Sequence, residues 1–321
     1  MKSIIAIGHK NPDTDSIVAS LIFADFLKKV RKPILGFLNF KIKPARAGSL
    51  NRETKFVFNY FKQTPPFLIK NIKNKDVVLI DHGDYDQAAE GVREARIVGV
   101  IDHHQLGGIT TAAPIFYRAE PIGSTSTILA KMFLENKLFF DKKTAGFLLA
   151  AILSDTLKLT SPTTTGDDKK ITQILAKVSK ENIDRLSQKM FEAKSDIKGI
   201  SFNELVSKDY KEYKDGGINF GVGVWETVCP QKIKVKEKEI LSALEKLKKK
   251  RKMKLMFFAL VDIFKKNSEV FLLGEKEKLV AEKVFRKKAK GNLLFLPGVV
   301  SRKKQITPFL INFLEKNENI C

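Results

Sequence analysis

Three short apolar runs in this sequence end abruptly in side chains that bind metals. IIAIG leads into His9, Asp13 and Asp15, VVLID ends at Asp81 and His82, and VGVID ends at Asp102, His103 and His104. A further acid, Asp155, follows the apolar AAILS. All four histidines of the 321-residue chain fall in this set. Imidazoles among carboxylates, without thiolate, suit Mn²⁺, Co²⁺ or Fe²⁺, with Mg²⁺ as a further ion, rather than a structural zinc site. Four or five aspartates exceed what one ion uses. Two ions about 3.5–4 Å apart, bridged by an aspartate and a water, serve phosphoryl hydrolysis, and the bridging water is then the nucleophile. Taken singly, each residue has a plainer reading. Asp13 or Asp15 can cap a helix opening at Ser16, Asp81 can end a strand in a turn, and a histidine can be a hydrogen-bonded core residue. The conjunction at strand ends is what favours a metal site.

Such a cluster needs strands whose carboxyl ends share one edge. SIIAIG, PILGFL, DVVLID and RIVGVID are continuous apolar runs, as expected for strands covered on both faces. Helical periodicity over 16–30 and 51–61 separates them, which predicts an α/β fold with a doubly wound, mostly parallel sheet. In that fold ligands bind at the carboxyl ends of the strands. Further helices are predicted over 124–137 and 142–157, with another starting near Asp167 after the turn-rich TSPTTTGDD. A polar helix over 182–198 leads to a boundary near residue 195. Beyond it, INFGVGVWE, LMFFALVDIF, EVFLLG and NLLFLPG read as strands, with helices over 236–250 and 277–285. The expected organisation is a metal-binding catalytic domain over 1–190 and a smaller α/β substrate-binding domain over 196–321.

Hydrophobic residues make up 43% of the chain, enough for a sizeable core, and no apolar run reaches the roughly 20 residues that span a bilayer. The opening MKSIIAIG is too short for a secretory signal and reads as a first strand. Two cysteines, Cys229 and Cys321, suggest no disulfide framework, so a cytoplasmic protein is expected. The formal net charge is +22. Its excess lysines cluster in stretches such as EKLKKKRKMK and FRKKAK, without the interleaved aromatics that stacking on bases requires. A solvated lysine-rich surface is expected, and neither nucleic acid nor a membrane as partner.

GHKNPDTDSI, DHG, VIDHHQ, YRAEPIGSTSTI, AAILSDTLKLTSPT and the late SRKKQ occur in an order that resembles the manganese-dependent family II inorganic pyrophosphatases of the DHH phosphoesterase superfamily. The resemblance implies hydrolysis of pyrophosphate to two orthophosphates, in a cleft between the two domains. It implies two Mn²⁺ ions, with Co²⁺ as a substitute and Mg²⁺ accompanying the substrate, and a homodimer. It assigns His9 and Asp13 to one metal, Asp15, His103 and Asp155 to the other, and Asp81 as the bridge. His104 is implied to face the substrate, and Lys211 of DYKEY with Arg302 and Lys303 of SRKK to hold phosphates. By itself SRKK is also readable as a solvated basic turn, although LPGVV before it places it after a strand. The second motif departs from the family's DHNE, reading DHGD with Gly83 and Asp84. Other DHH enzymes, acting on polyphosphate, oligonucleotides or cyclic dinucleotides, are the alternative. The nucleases among them usually carry a GGGH-like motif, and DGGIN here lacks its histidine.

Overall fold

A computed structural model describes residues 3–30, 41–215 and 218–317, with the side chains of 215 and 303 outside the description. The strand expected at PILGFL, and Cys321, lie outside the described residues. The chain forms two compact units, Met1–Lys194 and Ser195–Cys321.

In the first unit the described elements are β1 (Ser3–Ile7), α1 (Thr14–Lys29), β2 (Lys41–Arg46), α2 (Arg52–Tyr60), β3 (Phe67–Leu68), β4 (Asp76–Ile80), β5 (Arg96–Asp102), β6 (Phe116–Ala119), α3 (Thr125–Glu135), α4 (Lys142–Asp155), α5 (Gly166–Ser179) and α6 (Ile183–Lys194). The strands pair in the order β3-β2-β1-β4-β5-β6, every pair parallel. The order reverses between β1 and β4, so a crevice opens at their carboxyl ends. Alternate strand residues feed two cores. Ile4, Ala6, Val78 and Ile80 pack with α1 and α4, while Ile5, Ile7, Val77 and Leu79 pack under the segment bearing Ala88, Ala89 and Val92. Burial on both faces explains why β1, β4 and β5 read as unbroken apolar runs.

β2, KIKPAR, carries none of that signal. Its lysines alternate with buried positions, and Pro44 breaks the strand pattern. It is tolerated because β3 pairs only with Ala45 and Arg46, so the strand is still a margin at Pro44. The helix expected over 142–157 stops at Asp155 because Leu157, Lys158 and Leu159 take left-handed backbone angles. The one expected over 182–198 stops at Lys194. Ser195 already belongs to the second unit, where its hydroxyl oxygen accepts from the Val228 N–H at 2.9 Å.

The second unit holds α7 (Phe202–Ser207), β7 (Tyr210–Asp215), β8 (Ile218–Thr227), α8 (Pro230–Lys234), α9 (Glu237–Arg251), β9 (Leu255–Asp262), β10 (Asn267–Leu272), α10 (Glu275–Phe285), β11 (Leu293–Pro297) and α11 (Thr307–Glu315). Its sheet runs β11-β10-β9-β8-β7, with β8 and β9 parallel and the other pairs antiparallel. Val222, Phe257 and Ala259 share one core with Val280 of α10 and Leu310 of α11. Phe258 and Leu260 share the other with Leu205 of α7 and Leu244 of α9. Among the described residues, no helix of either unit is long and apolar enough to cross a membrane.

The turn after β1 sets where the first imidazole stands, and it is tight. A Cβ on Gly8 would lie 1.9 Å from Ser16 Oγ and 2.9 Å from the Ser16 carbonyl oxygen. Ser16 Oγ in turn accepts from the His9 N–H at 3.2 Å. Gly8→Ala should therefore cost about 1–3 kcal/mol by overpacking. The expected reading is a lower denaturant midpoint with an unchanged slope; an unmoved midpoint would show that the turn has slack.

Candidate metal centre

The β1–β4–β5 edge gathers the expected ligands. His9 follows β1, Asp81 follows β4, and His103 follows β5. Asp13 precedes α1 and caps it, Oδ1 accepting from the Ser16 N–H at 2.9 Å. Capping and ligation are compatible here, because Asp13 Oδ2 is turned toward His9 Nε2 at 3.7 Å. Asp15 lies one residue inside α1 and is fully buried. Its carboxylate accepts from two backbone N–H groups at the start of α3, Thr125 at 2.7 Å and Ser126 at 3.0 Å. A helix N-terminus is a natural seat for an anion.

Asp81 is the hub. It is fully buried, and its backbone is left-handed at φ 65°, a conformation that costs energy and clusters at functional sites. His9 Nε2 stands 3.5 Å from its Oδ2 and His103 Nε2 3.4 Å from its Oδ1. The Thr125 hydroxyl donates to Oδ1 at 2.8 Å. Two candidate ligand sets result, His9, Asp13 and Asp81 in one and Asp15, Asp81, His103 and Asp155 in the other. Asp81 is common to both. His103 also lies 3.5 Å from Asp155, and its Nδ1 is held by the Ile122 carbonyl at 2.9 Å, which leaves Nε2 for the centre.

His104 is partly exposed, and its Nδ1 pairs with Asp102 Oδ1 at 2.8 Å. It forms a third grouping with Asp81 and His103. His82 joins none of the three. It is buried with Nδ1 on the Ile80 carbonyl at 2.9 Å, and its ring sits edge-on to His9 at 6.3 Å. Gly83 lies under Asp102, where a Cβ would meet Asp102 Oδ2 and the Tyr117 hydroxyl at 3.2 Å each.

The electrostatics call for a cation. Burial opposes a charge on His9, but Asp13 and Asp81 outweigh it and push the imidazole up to about 10. His103 is pushed up to about 9 against the same burial, chiefly by Asp81. Burial and the neighbouring Asp81 raise Asp15 to about 6. Burial and the charges of Asp15, Asp13 and Asp81 push Asp155 well up. Asp81 itself is held low despite burial, because His103 and His9 share its proton-free form. Buried Asp81 Oδ2 and His103 Nε2 have no hydrogen-bond partner, which is costly unless another group takes them. Oxygen and imidazole donors, no thiolate and surplus negative charge fit Mn²⁺.

In the second unit, the wide turn 302–306 is braced by Gln305. Its Oε1 accepts from the Val300 and Ser301 N–H groups at 3.0 and 3.1 Å, and its Nε2 donates to the Gly298 carbonyl at 2.8 Å. Arg302 donates to the Asp209 carbonyl at 2.6 Å, to Asp209 Oδ1 at 2.7 Å and to the Val222 carbonyl at 3.3 Å. Val222 is the ladder partner of Lys211, so the Arg302 side chain ends on the backbone rung that Lys211 occupies. Lys303 follows Arg302 on the turn, and its side chain lies outside the described ones.

Thr125 and Asp209 escaped the reading of the sequence, although GSTSTI and DYKEY contain them, and Asp102 was read as one of the strand-end acids, not as the partner of His104. The partners of Thr125 and Asp209, which are Asp81 and Arg302, lie far away in the chain.

A parallel sheet that delivers histidines and aspartates to its switch point, followed by a small mixed-sheet unit, defines a class. The N-terminal domain of the DHH family matches residues 3–152, and the DHHA2 domain matches residues 188–313. The manganese-dependent inorganic pyrophosphatase of Methanothrix thermoacetophila is 36% identical over 315 residues, covering 98% of this chain and 99% of its own. That of Bacillus subtilis is 35% identical over 312 residues, covering 97% and 98%. A crystal structure from Methanococcus jannaschii, assigned to the family II inorganic pyrophosphatases, is 35% identical with a TM-score of 0.64, over 97% of this chain and 99% of that one. An exopolyphosphatase-related protein from Bacteroides fragilis shares the fold at 15% identity and a TM-score of 0.52, over 99% and 93%. The chain belongs to the family of the manganese-dependent inorganic pyrophosphatases.

For the metal-free chain, the shifted groups fix the sign of a pH dependence. Asp15 protonates near pH 6 when folded, against 3.8 ordinarily. His9 and His103 keep protons to about 10 and 9, against 6.5. His82, lowered by burial, works the other way, but His9, His103, Asp15 and Asp155 are all raised, so the folded chain binds more protons than the unfolded one between about pH 4 and 10, and stability falls as pH rises through that window. Chelator-treated protein should melt at a lower temperature at about pH 9 than at about pH 6.5. Saturating Mn²⁺ should raise Tm more at the higher pH. A Tm that rises toward pH 9 without metal would refute this balance.

Proposed function

We propose that this chain hydrolyses inorganic pyrophosphate to two orthophosphates. The observation that carries the reading is the pair of ligand sets sharing Asp81 at the switch point of the sheet. The substrate is supported by the relatives, manganese-dependent inorganic pyrophosphatases matched over nearly the whole chain.

His9, Asp13 and Asp81 would hold one Mn²⁺, and Asp15, Asp81, His103 and Asp155 the second. Bound ions of this kind neutralise phosphoryl oxygens and acidify a water enough for it to attack near neutral pH. The chain's own part is to hold that constellation in place. The first N–H groups of α3 fix Asp15, and the Thr125 hydroxyl fixes one oxygen of Asp81. Asp102 anchors His104 Nδ1 and leaves Nε2 for the substrate. Lys211, Arg302 and Lys303 hold phosphate, arginine by its fork and lysine as a point charge. Asp209 and the Val222 carbonyl keep the Arg302 fork oriented. Co²⁺ as a substitute, Mg²⁺ with the substrate and a homodimer complete the reading, supported by the sequence resemblance, and cytoplasmic residence is supported by the low cysteine count.

Phosphate release from pyrophosphate, tripolyphosphate and a dinucleotide, compared side by side with Mn²⁺ and Mg²⁺, tests it. Pyrophosphate should turn over fastest by a wide margin. Equal or faster release from either of the other two would move the chain to another branch of the superfamily.

Arg302→Ala separates phosphate holding from metal holding. Losing a charge-assisted contact typically costs about 1.5–3 kcal/mol, so kcat/KM should fall roughly ten- to a hundredfold. Calorimetric Mn²⁺ affinity should stay as in the wild type. Weakened Mn²⁺ binding with normal kinetics at saturating metal would place Arg302 in support of the metals instead.

A further inference from the structure

Glu53 is a buried carboxylate that the proposed chemistry does not use. It lies in the first turn of α2 at 1% exposure. It is not needed as a cap, because Asn51 Oδ1 already accepts from the Thr54 N–H at 2.8 Å. Its Oε2 accepts from the Ser154 hydroxyl at 2.8 Å and from the Thr14 hydroxyl at 3.4 Å. Thr14 Oγ1 also lies 3.0 Å from Thr54 Oγ1, so three hydroxyls and the carboxylate form one chain of hydrogen bonds. Lys194 Nζ stands 4.0 Å from Oε2, and Oε1 is buried without a partner.

The identity of the two donors gives this arrangement its meaning. Thr14 lies between Asp13 and Asp15, and Ser154 immediately precedes Asp155. Three proposed ligands therefore hang from two backbones that share one anchor. Burying a carboxylate is expensive, and two hydroxyls alone could be satisfied by a smaller neutral acceptor. What a glutamate adds is reach from α2 to both α1 and α4.

We propose that Glu53 is a positioning residue of the metal centre, fixing the Asp13–Asp15 segment and the end of α4 in register by accepting from Thr14 and Ser154 together. The inference rests on the metal-dependent reading above, but it concerns metal holding rather than the substrate. The anchored backbones carry two of the three ligands unique to the Asp15, Asp81, His103 and Asp155 set, so that set should suffer most.

The test is Mn²⁺ titration by calorimetry on wild type, Glu53→Ala, Glu53→Gln and Ser154→Ala. Electron paramagnetic resonance would follow the spin coupling between paired Mn²⁺ ions. Glu53→Ala should weaken the weaker Mn²⁺ step about tenfold or more, the range seen when partners of metal ligands are removed, and should lose the coupled signal at limiting metal. Glu53→Gln should stay within about threefold, because its amide oxygen can accept from both hydroxyls. Ser154→Ala should fall between them. Wild-type affinity in Glu53→Ala overturns the proposal, and so does a Glu53→Gln variant as weak as Glu53→Ala, which would make charge the operative property. Should Glu53→Ala fail to fold, Ser154→Ala decides, weakened binding supporting the proposal and wild-type binding overturning it. Pyrophosphate turnover by the wild type is measured apart: its absence defeats the functional reading, while a variant-specific loss of Mn²⁺ still upholds the role of Glu53.

Discussion

Mutual repulsion among Asp15, Asp81 and Asp155 is the constraint around which the first unit is arranged. Carboxylates this close cannot all ionise in a buried place unless positive charge is supplied. The chain supplies part of it as oriented dipoles. The start of α3 turns two N–H groups onto Asp15, and a threonine hydroxyl meets Asp81. The imidazoles supply more when protonated, and the remainder is what a divalent ion brings. Partial compensation is useful in itself, since a fully satisfied set of carboxylates would have no reason to bind a metal.

The second unit solves a complementary problem. In the proposed reading it holds Lys211, Arg302 and Lys303 ready for an anion. Arg302 is fastened by two carbonyls and one carboxylate oxygen, which set its plane. Gln305 performs the neutral part of the task, closing the turn with amide hydrogen bonds that add no charge. A glutamate there could accept the same N–H groups but would weaken the local positive field.

How much of this was legible follows from where the information resides. Strands buried on both faces announce themselves as apolar runs, and their ends placed His9, Asp81 and His103 at one edge. β2 was hidden by its lysines and Pro44. β6 was hidden because FYRA is a half-exposed margin, and its residues stood out only as part of a motif. α7 is a single short helix with little periodicity to detect. At the site, the candidate ligands were legible because their chemistry is visible in the side chain itself. The supports were not. Nothing in the spacing of Thr125 or Glu53 pairs either with an aspartate or serine on the far side of the chain, and Asp13 looked like a choice between cap and ligand until geometry showed one oxygen free for each task.

The contact between Asp15 and Thr125 spans 110 residues, and that distance bears on how the protein comes into being. A nascent chain emerging from the ribosome exposes its first ligands long before their partners exist. Asp15 has no helix terminus to accept it until α3 has been made, and the second ligand set stays incomplete until Asp155 has followed. Contacts of such high sequence separation form late and slowly. The candidate metal centre can therefore close only once the chain has been made through Asp155, and a product truncated before that point would carry an incomplete set of acids. The unit beginning at Ser195 is synthesised after that closure is already possible, in keeping with the domain-by-domain order in which long chains fold.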